Sequence, residues 1–138
     1  MLKQLTDSKV FIIAEAGVNH NGRLVLAKQL VKAAKEAGAD AVKFQTWKTE
    51  ELIIEGTKTA KYQRNNTKEN DQFKMLKKIE LSYDEFRQLK KYADELGIIF
   101  LSTPDEEESL NFLTDELNLP IIKIGSSELT NYFFTYYS

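Results

Sequence analysis

Two lysines set inside short apolar runs, Lys43 in ADAVKFQ and Lys123 in PIIKI, are the residues of this chain best placed to do chemistry. A carboxylate, Glu15, ends the run VFIIAEAG, and two hydroxyls, Thr103 and Ser126, follow the runs IIFLS and PIIKI. Side chains alternate between the two faces of a strand, so Ala41, Lys43 and Gln45 share one face while Val42 and Phe44 share the other. With the apolar pair turned toward helices, Lys43 points to the inner face. The same rule groups Ile121, Lys123 and Gly125, and sets Glu15 on the side of Phe11 and Ile13. An ammonium held away from water without an anion is costly, so two of them beside a carboxylate and two hydroxyls suit a small polyanionic ligand, phosphate or carboxylate. Each residue also has a plainer role. Lys43 could pair with Glu15 as a structural ion pair, Thr103 could cap a helix, and Ser126 could occupy a turn. His20, in the loop GVNHNG, fits a turn or surface histidine better than a ligand.

The elements that would hold these groups alternate along the chain. The β-branched and aromatic run ending at Ala16 predicts a strand, and Gly17 to Gly22 a loop. Leu24, Ala27, Leu30, Val31 and Ala34 then recur at helical spacing up to Gly38. Ala39 to Gln45 repeats the strand signal, which completes a βαβ unit. Thr46 to Leu81 is a long polar excursion with one or two helical turns near Phe73, Met75, Leu76 and Ile79, and connections of that length are often functional. Ser82 and Glu85 have capping-box spacing ahead of a helix lined by Phe86, Leu89, Ala93 and Leu96 and closed by Gly97. Ile98 to Ser102 predicts strand three. Thr103-Pro104-Asp105-Glu106 then reads as a helix start, with Leu110, Leu113 and Leu117 as its buried stripe. Pro120 to Ile124 predicts strand four, and an aromatic-rich tail runs from Asn131 to Ser138. About four parallel strands with three helices make an α/β chain, either an open doubly wound sheet or the first half of a (β/α)₈ barrel. No G-x-G-x-x-G or G-x-x-x-x-G-K-[ST] follows a strand, which favours the half-barrel. Such a half leaves two strand edges and apolar faces uncovered, so self-association is expected.

Composition removes several classes. With 19 Lys and Arg against 21 Asp and Glu in 138 residues, the charge of −2 gives no broad footprint for nucleic acid or an anionic membrane. The absence of cysteine excludes disulfides, thiolate metal sites and a cysteine nucleophile, and one histidine cannot build a histidine-based metal centre. The first apolar run is broken by Glu15, too early for a membrane span or a signal segment, so a cytoplasmic address is expected.

Taken together, FIIAEAGVNHNG, AGADAVKFQTWKTEEL, IELSYDEFRQLKKYADELGIIFLSTP and PIIKIGSSELTN resemble, in collinear order from Phe11 to Asn131, the sialic acid synthase family of N-acetylneuraminate, legionaminate and pseudaminate synthases. The resemblance implies a TIM barrel that condenses phosphoenolpyruvate with an N-acetylated amino-sugar, releasing phosphate and forming a nonulosonic, sialic-type acid. It implies a divalent metal, Mn²⁺ or Mg²⁺, that polarises the sugar aldehyde. It also implies that Lys43 and Lys123 are phosphoenolpyruvate ligands, Thr103 and Ser126 hydroxyl donors to the same substrate, and Glu15 a catalytic carboxylate moving a proton to or from water. An asparagine of the excursion, Asn66 or its neighbour Asn65, would contact substrate. Two positions depart from the family pattern: Asp105 stands where Phe usually follows S-T-P, and Ser127 stands where G-S-G-E has its second glycine. Residues 1–138 are then expected to be the N-terminal portion of the barrel domain, without the second half-barrel, the metal ligands or the antifreeze-like domain, inactive as this piece alone and homo-oligomeric. The rival expectation is a non-catalytic remnant acting as a self-associating or partner-binding module, and a third is a related aldolase-type barrel.

Overall fold

The computed structural model describes residues 10–53, 72–126 and 129. Three parallel strands, β1 (Ile13–Gly17), β2 (Ala41–Thr46) and β3 (Ile99–Pro104), lie in that order in one sheet. Between them run α1 (Leu24–Glu36), α2 (Thr49–Leu52), α3 (Gln72–Ile79) and α4 (Tyr83–Leu96), and α5 (Glu107–Asn111) continues into a π-helical turn, Phe112–Glu116. Strand and helix therefore alternate as the apolar periodicities predict. The excursion after β2 holds two of the helices, and its residues 54–71, with Asn65 and Asn66, lie outside the described residues.

One face of the sheet is sealed by helices. Ala27, Val31 and Ala34 of α1 and Phe86, Leu89 and Ala93 of α4 are buried at three- and four-residue spacings, each set forming a stripe that meets the sheet. Against them stand Ala16, Val42, Phe44 and Phe100, with the Phe44 and Phe100 rings stacked 5.4 Å apart and Phe86 edge-on to Phe100 at 6.4 Å. Ser82 caps α4 through the predicted box, accepting from Glu85 N while the Glu85 carboxylate accepts from Ser82 N at 2.8 Å. Two hydroxyls buried between β2 and β3, Thr46 and Ser102, satisfy one another at 2.7 Å.

Two expectations fail for reasons of pairing. Thr103 and Pro104 do not start a helix; β3 runs on through both, in register with Gln45 and Thr46 of β2. The next ladder donor is Asp105 N, which bonds to Thr46 O at 3.0 Å, so Pro104 can sit in the strand despite its missing N–H. The helix cap is instead Glu106, whose carboxylate accepts from Ser109 N at 3.0 Å. Pro120 to Ile124 likewise does not form a regular fourth strand. It makes one parallel bridge, Ser102 to Ile122, with Lys123 N bonded to Ser102 O at 3.3 Å. Val10 and Ile12, just before β1, and Ile13 at its start are 85%, 55% and 46% exposed.

Candidate active site

β1 delivers its carboxylate through an irregularity. The β1–β2 register breaks between Glu15 and Gly17, which re-aims the strand end, and Gly17 takes a left-handed φ of +50°. A Cβ at Gly17 would lie 3.2 Å from Glu15 Oε1, so the bare glycine leaves the carboxylate its room. Glu15 is paired in register with Lys43 on β2, and the two side chains share the face away from the helices, as alternation predicts.

Lys43 is the centre of the cluster. Its Nζ lies 2.9 Å from Glu15 Oε2 and 3.1 Å from Oε1, and it donates to Thr103 Oγ1 at 3.1 Å. The lysine side chain is 13% exposed and that of Glu15 56%, so the ammonium is sheltered while the carboxylate reaches water. Thr103, freed from the capping role, offers its hydroxyl from the end of β3 at only 4% exposure. Three adjacent strand ends thus converge a carboxylate, an ammonium and a hydroxyl. Gln45, half-buried and opposite Thr103 in the ladder, belongs to the same face; alternation set it there, though its amide suggested no role.

Lys123 is exposed, and its ammonium donates to the carbonyl of Ile124. Its segment has a single bridge instead of a ladder, and without a ladder alternation does not fix which way a side chain points. Ser126 is exposed, and Asn66 lies outside the described residues. His20 is not a surface residue: it is fully buried, with Nδ1 accepting from Gly22 N at 3.1 Å, the turn role carried out inside the protein. Burial lowers its pKa, a shift that the Glu85 carboxylate partly opposes.

A second polar cluster escaped the sequence reading. The short helix after β2 is capped by Glu80, whose Oε2 accepts from Thr49 N at 2.9 Å and from its hydroxyl at 2.6 Å. Buried Glu106 accepts from Lys48 N at 3.2 Å, and Lys48 also pairs with Glu108 and lies 4.7 Å above the Tyr83 ring. Tyr83 stacks on Phe112 at 3.9 Å and hydrogen-bonds Ser109 at 3.1 Å, and its burial pushes the phenol well above its ordinary pKa. These contacts tie the loop after β2 to α4 and α5. Their partners are 26 to 60 residues apart in sequence, beyond the reach of any local pattern.

The described residues do not fit the divalent metal that the resemblance implies. No three His, Asp or Glu side chains gather among them, Glu15 is held by an ammonium, and Nδ1 of the one histidine is engaged by the backbone.

Comparison with known proteins agrees with this architecture. An N,N'-diacetyllegionaminic acid synthase of Legionella pneumophila is 53% identical over 122 residues, which are 88% of this chain and 34% of that one. The human N-acetylneuraminate-9-phosphate synthase is 38% identical over 126 residues, again 88% of this chain and 34% of that one. A solved N-acetylneuraminic acid synthetase from Leptospira borgpetersenii, in complex with citrate, superposes with a TM-score of 0.73 at 34% identity, covering 92% of this chain and 40% of that one. The chain therefore spans about a third of the length of the curated relatives it matches. The model of the NeuB family matches residues 30–137, and the chain belongs to that family.

Proposed function

We propose that this chain forms the first part of a (β/α)₈ barrel and supplies the donor-substrate side of a nonulosonic acid synthase active site. The reaction is condensation of phosphoenolpyruvate with an N-acetylated amino-sugar. The observation that supports this most is the Glu15–Lys43–Thr103 cluster on three consecutive strand ends, where barrel enzymes carry their chemistry. The names of the relatives, legionaminic and neuraminic acid synthases, supply the substrate class.

In this reading the Lys43 ammonium holds an anionic group of phosphoenolpyruvate and the Thr103 hydroxyl donates to the same ligand. Atom balance requires one water per turnover, because phosphate leaves while a keto acid forms, and Glu15 takes or returns its proton. As found, Lys43 is paired with Glu15, so an arriving anion competes with that carboxylate for the ammonium. Lys123, Ser126 and Asn66 complete the donor subsite once the rest of the barrel is in place. A divalent metal, where the full polypeptide uses one, would take its ligands from outside the described residues. The remaining half-barrel and an antifreeze-like domain complete the polypeptide, which acts in the cytoplasm as a homo-oligomer.

The test is phosphoenolpyruvate binding by a polypeptide of the relatives' length carrying this chain. Lys43→Ala should weaken it by about 2–5 kcal/mol, the range for losing one side of a sheltered charged contact. Unchanged affinity would overturn the assignment. The exposed apolar residues Val10, Ile12 and Ile13 favour a second reading, a self-associating module, which sedimentation of the chain would reveal as a concentration-dependent mass.

A further inference from the structure

We infer that His20 is a positioning residue for the Glu15–Lys43 pair, an inference that rests on the reading of that pair as the donor site. His20 stands in the loop between β1 and α1 and is fully buried. Its Nδ1 accepts from Gly22 N at 3.1 Å, so the proton of the neutral ring is on Nε2. That Nε2–H is buried with no hydrogen-bond partner among the described residues. An aliphatic or phenyl side chain would fill the same space without stranding a donor. What the imidazole offers and a filler lacks is therefore the Nδ1 acceptor.

The acceptor closes a chain of turns that begins at the catalytic strand. Asn19 N bonds to Ala16 O at 3.1 Å, Asn21 N to Val18 O at 3.0 Å and Arg23 N to His20 O at 3.0 Å, so the backbone is held continuously from the residue after Glu15 to the start of α1. Gly22, the donor to His20, is also where the loop meets α3, since a Cβ there would fall 2.2 Å from the carbonyl oxygen of Lys78. On its other side the His20 ring lies against Phe44, with centroids 6.0 Å apart. Phe44 is the neighbour of Lys43 on β2 and points to the opposite face of the sheet. One side chain thus braces the strand end carrying the carboxylate and the strand carrying the ammonium.

A double-mutant cycle tests this without any substrate. Glu15→Gln, Lys43→Met and the double variant are unfolded with urea in the unaltered chain, in His20→Asn and in His20→Leu. The Asn side-chain oxygen can replace Nδ1 as acceptor for Gly22 N, whereas Leu restores volume alone. The coupling between Glu15 and Lys43 should be a factor of about three to five in the unfolding equilibrium with His or Asn at position 20, and should fall toward one with Leu. The smaller Asn leaves a void, so overall stability should rank Leu above Asn while the coupling ranks the other way. That crossing is what a filling role cannot produce. The inference is overturned if the coupling is the same in all three backgrounds, or if it follows overall stability. Phosphoenolpyruvate binding by Lys43→Ala is a separate arm: normal affinity there overturns the proposed function, whereas a lost coupling in His20→Leu still stands for the positioning role.

Discussion

Replacing Glu15 by Gln should tighten phosphoenolpyruvate binding while slowing turnover. At the observed 2.9 Å, two unit charges attract by about 1.4 kcal/mol in the dielectric of water and about 6 kcal/mol at an effective dielectric of ~20. The net value is far smaller, because the carboxylate is 56% exposed and both groups give up hydration, which puts the pair near the upper end of the ~0.2–1 kcal/mol found for accessible pairs. An anion that binds Lys43 competes with this carboxylate for the ammonium. Gln keeps the shape and one acceptor but removes the charge. Phosphoenolpyruvate should therefore bind up to about fivefold more tightly, the equivalent of about 1 kcal/mol. Turnover should fall about a hundredfold or more, the usual loss on removing a general base, which is the role proposed for Glu15. Titration calorimetry and phosphate release, on a polypeptide of the relatives' length, read the two effects separately. If affinity is unchanged or weaker, the anion does not compete with Glu15 for Lys43.

Three further outcomes follow from the geometry. Gly22→Ala would place a Cβ 2.2 Å from Lys78 O at a φ of +68°, so urea unfolding should show a loss of about 2–5 kcal/mol from steric overlap and left-handed strain together. A loss below about 1 kcal/mol would mean that the loop and α3 separate easily. Phe100→Ala, which removes a ring that is 1% exposed and packed on Phe44 and Phe86, should cost about 3–5 kcal/mol in the same assay. His20 has a pKa below 6.5 in the folded chain, so the unfolded chain binds the proton first. Its contribution is therefore fully present above that pH and is lost as pH falls from about 6.5 toward the folded value. The thermal midpoint should drop over that interval, and His20→Asn should flatten the slope.

Much of the arrangement could be read before any coordinates. The alternation of strand and helix, the capping box at Ser82, the stop at Gly97 and the shared face of Glu15 and Lys43 all depend on spacings of a few residues, and all are present. Local spacing misled at Thr103. Thr-Pro-Asp-Glu is a sound helix start in isolation, but the ladder with β2 extends β3 through Pro104 and leaves Glu106 to cap. That extension is also what leaves the Thr103 hydroxyl available to Lys43.

Alternation of side chains and helical periodicity are properties of the backbone, so the order of residues alone was enough to bring Glu15 and Lys43 to one face at neighbouring strand ends. Whether a given segment pairs depends on which other segment reaches it. The single bridge at Ile122, the burial of His20 against Phe44 and the Lys48–Tyr83–Phe112 contacts were therefore settled by the folded chain. The bridge, the ring contacts and the cation above Tyr83 each join residues far apart in sequence, and the free energy that selects among such contacts comes from burial and pairing that exist only once those segments have met.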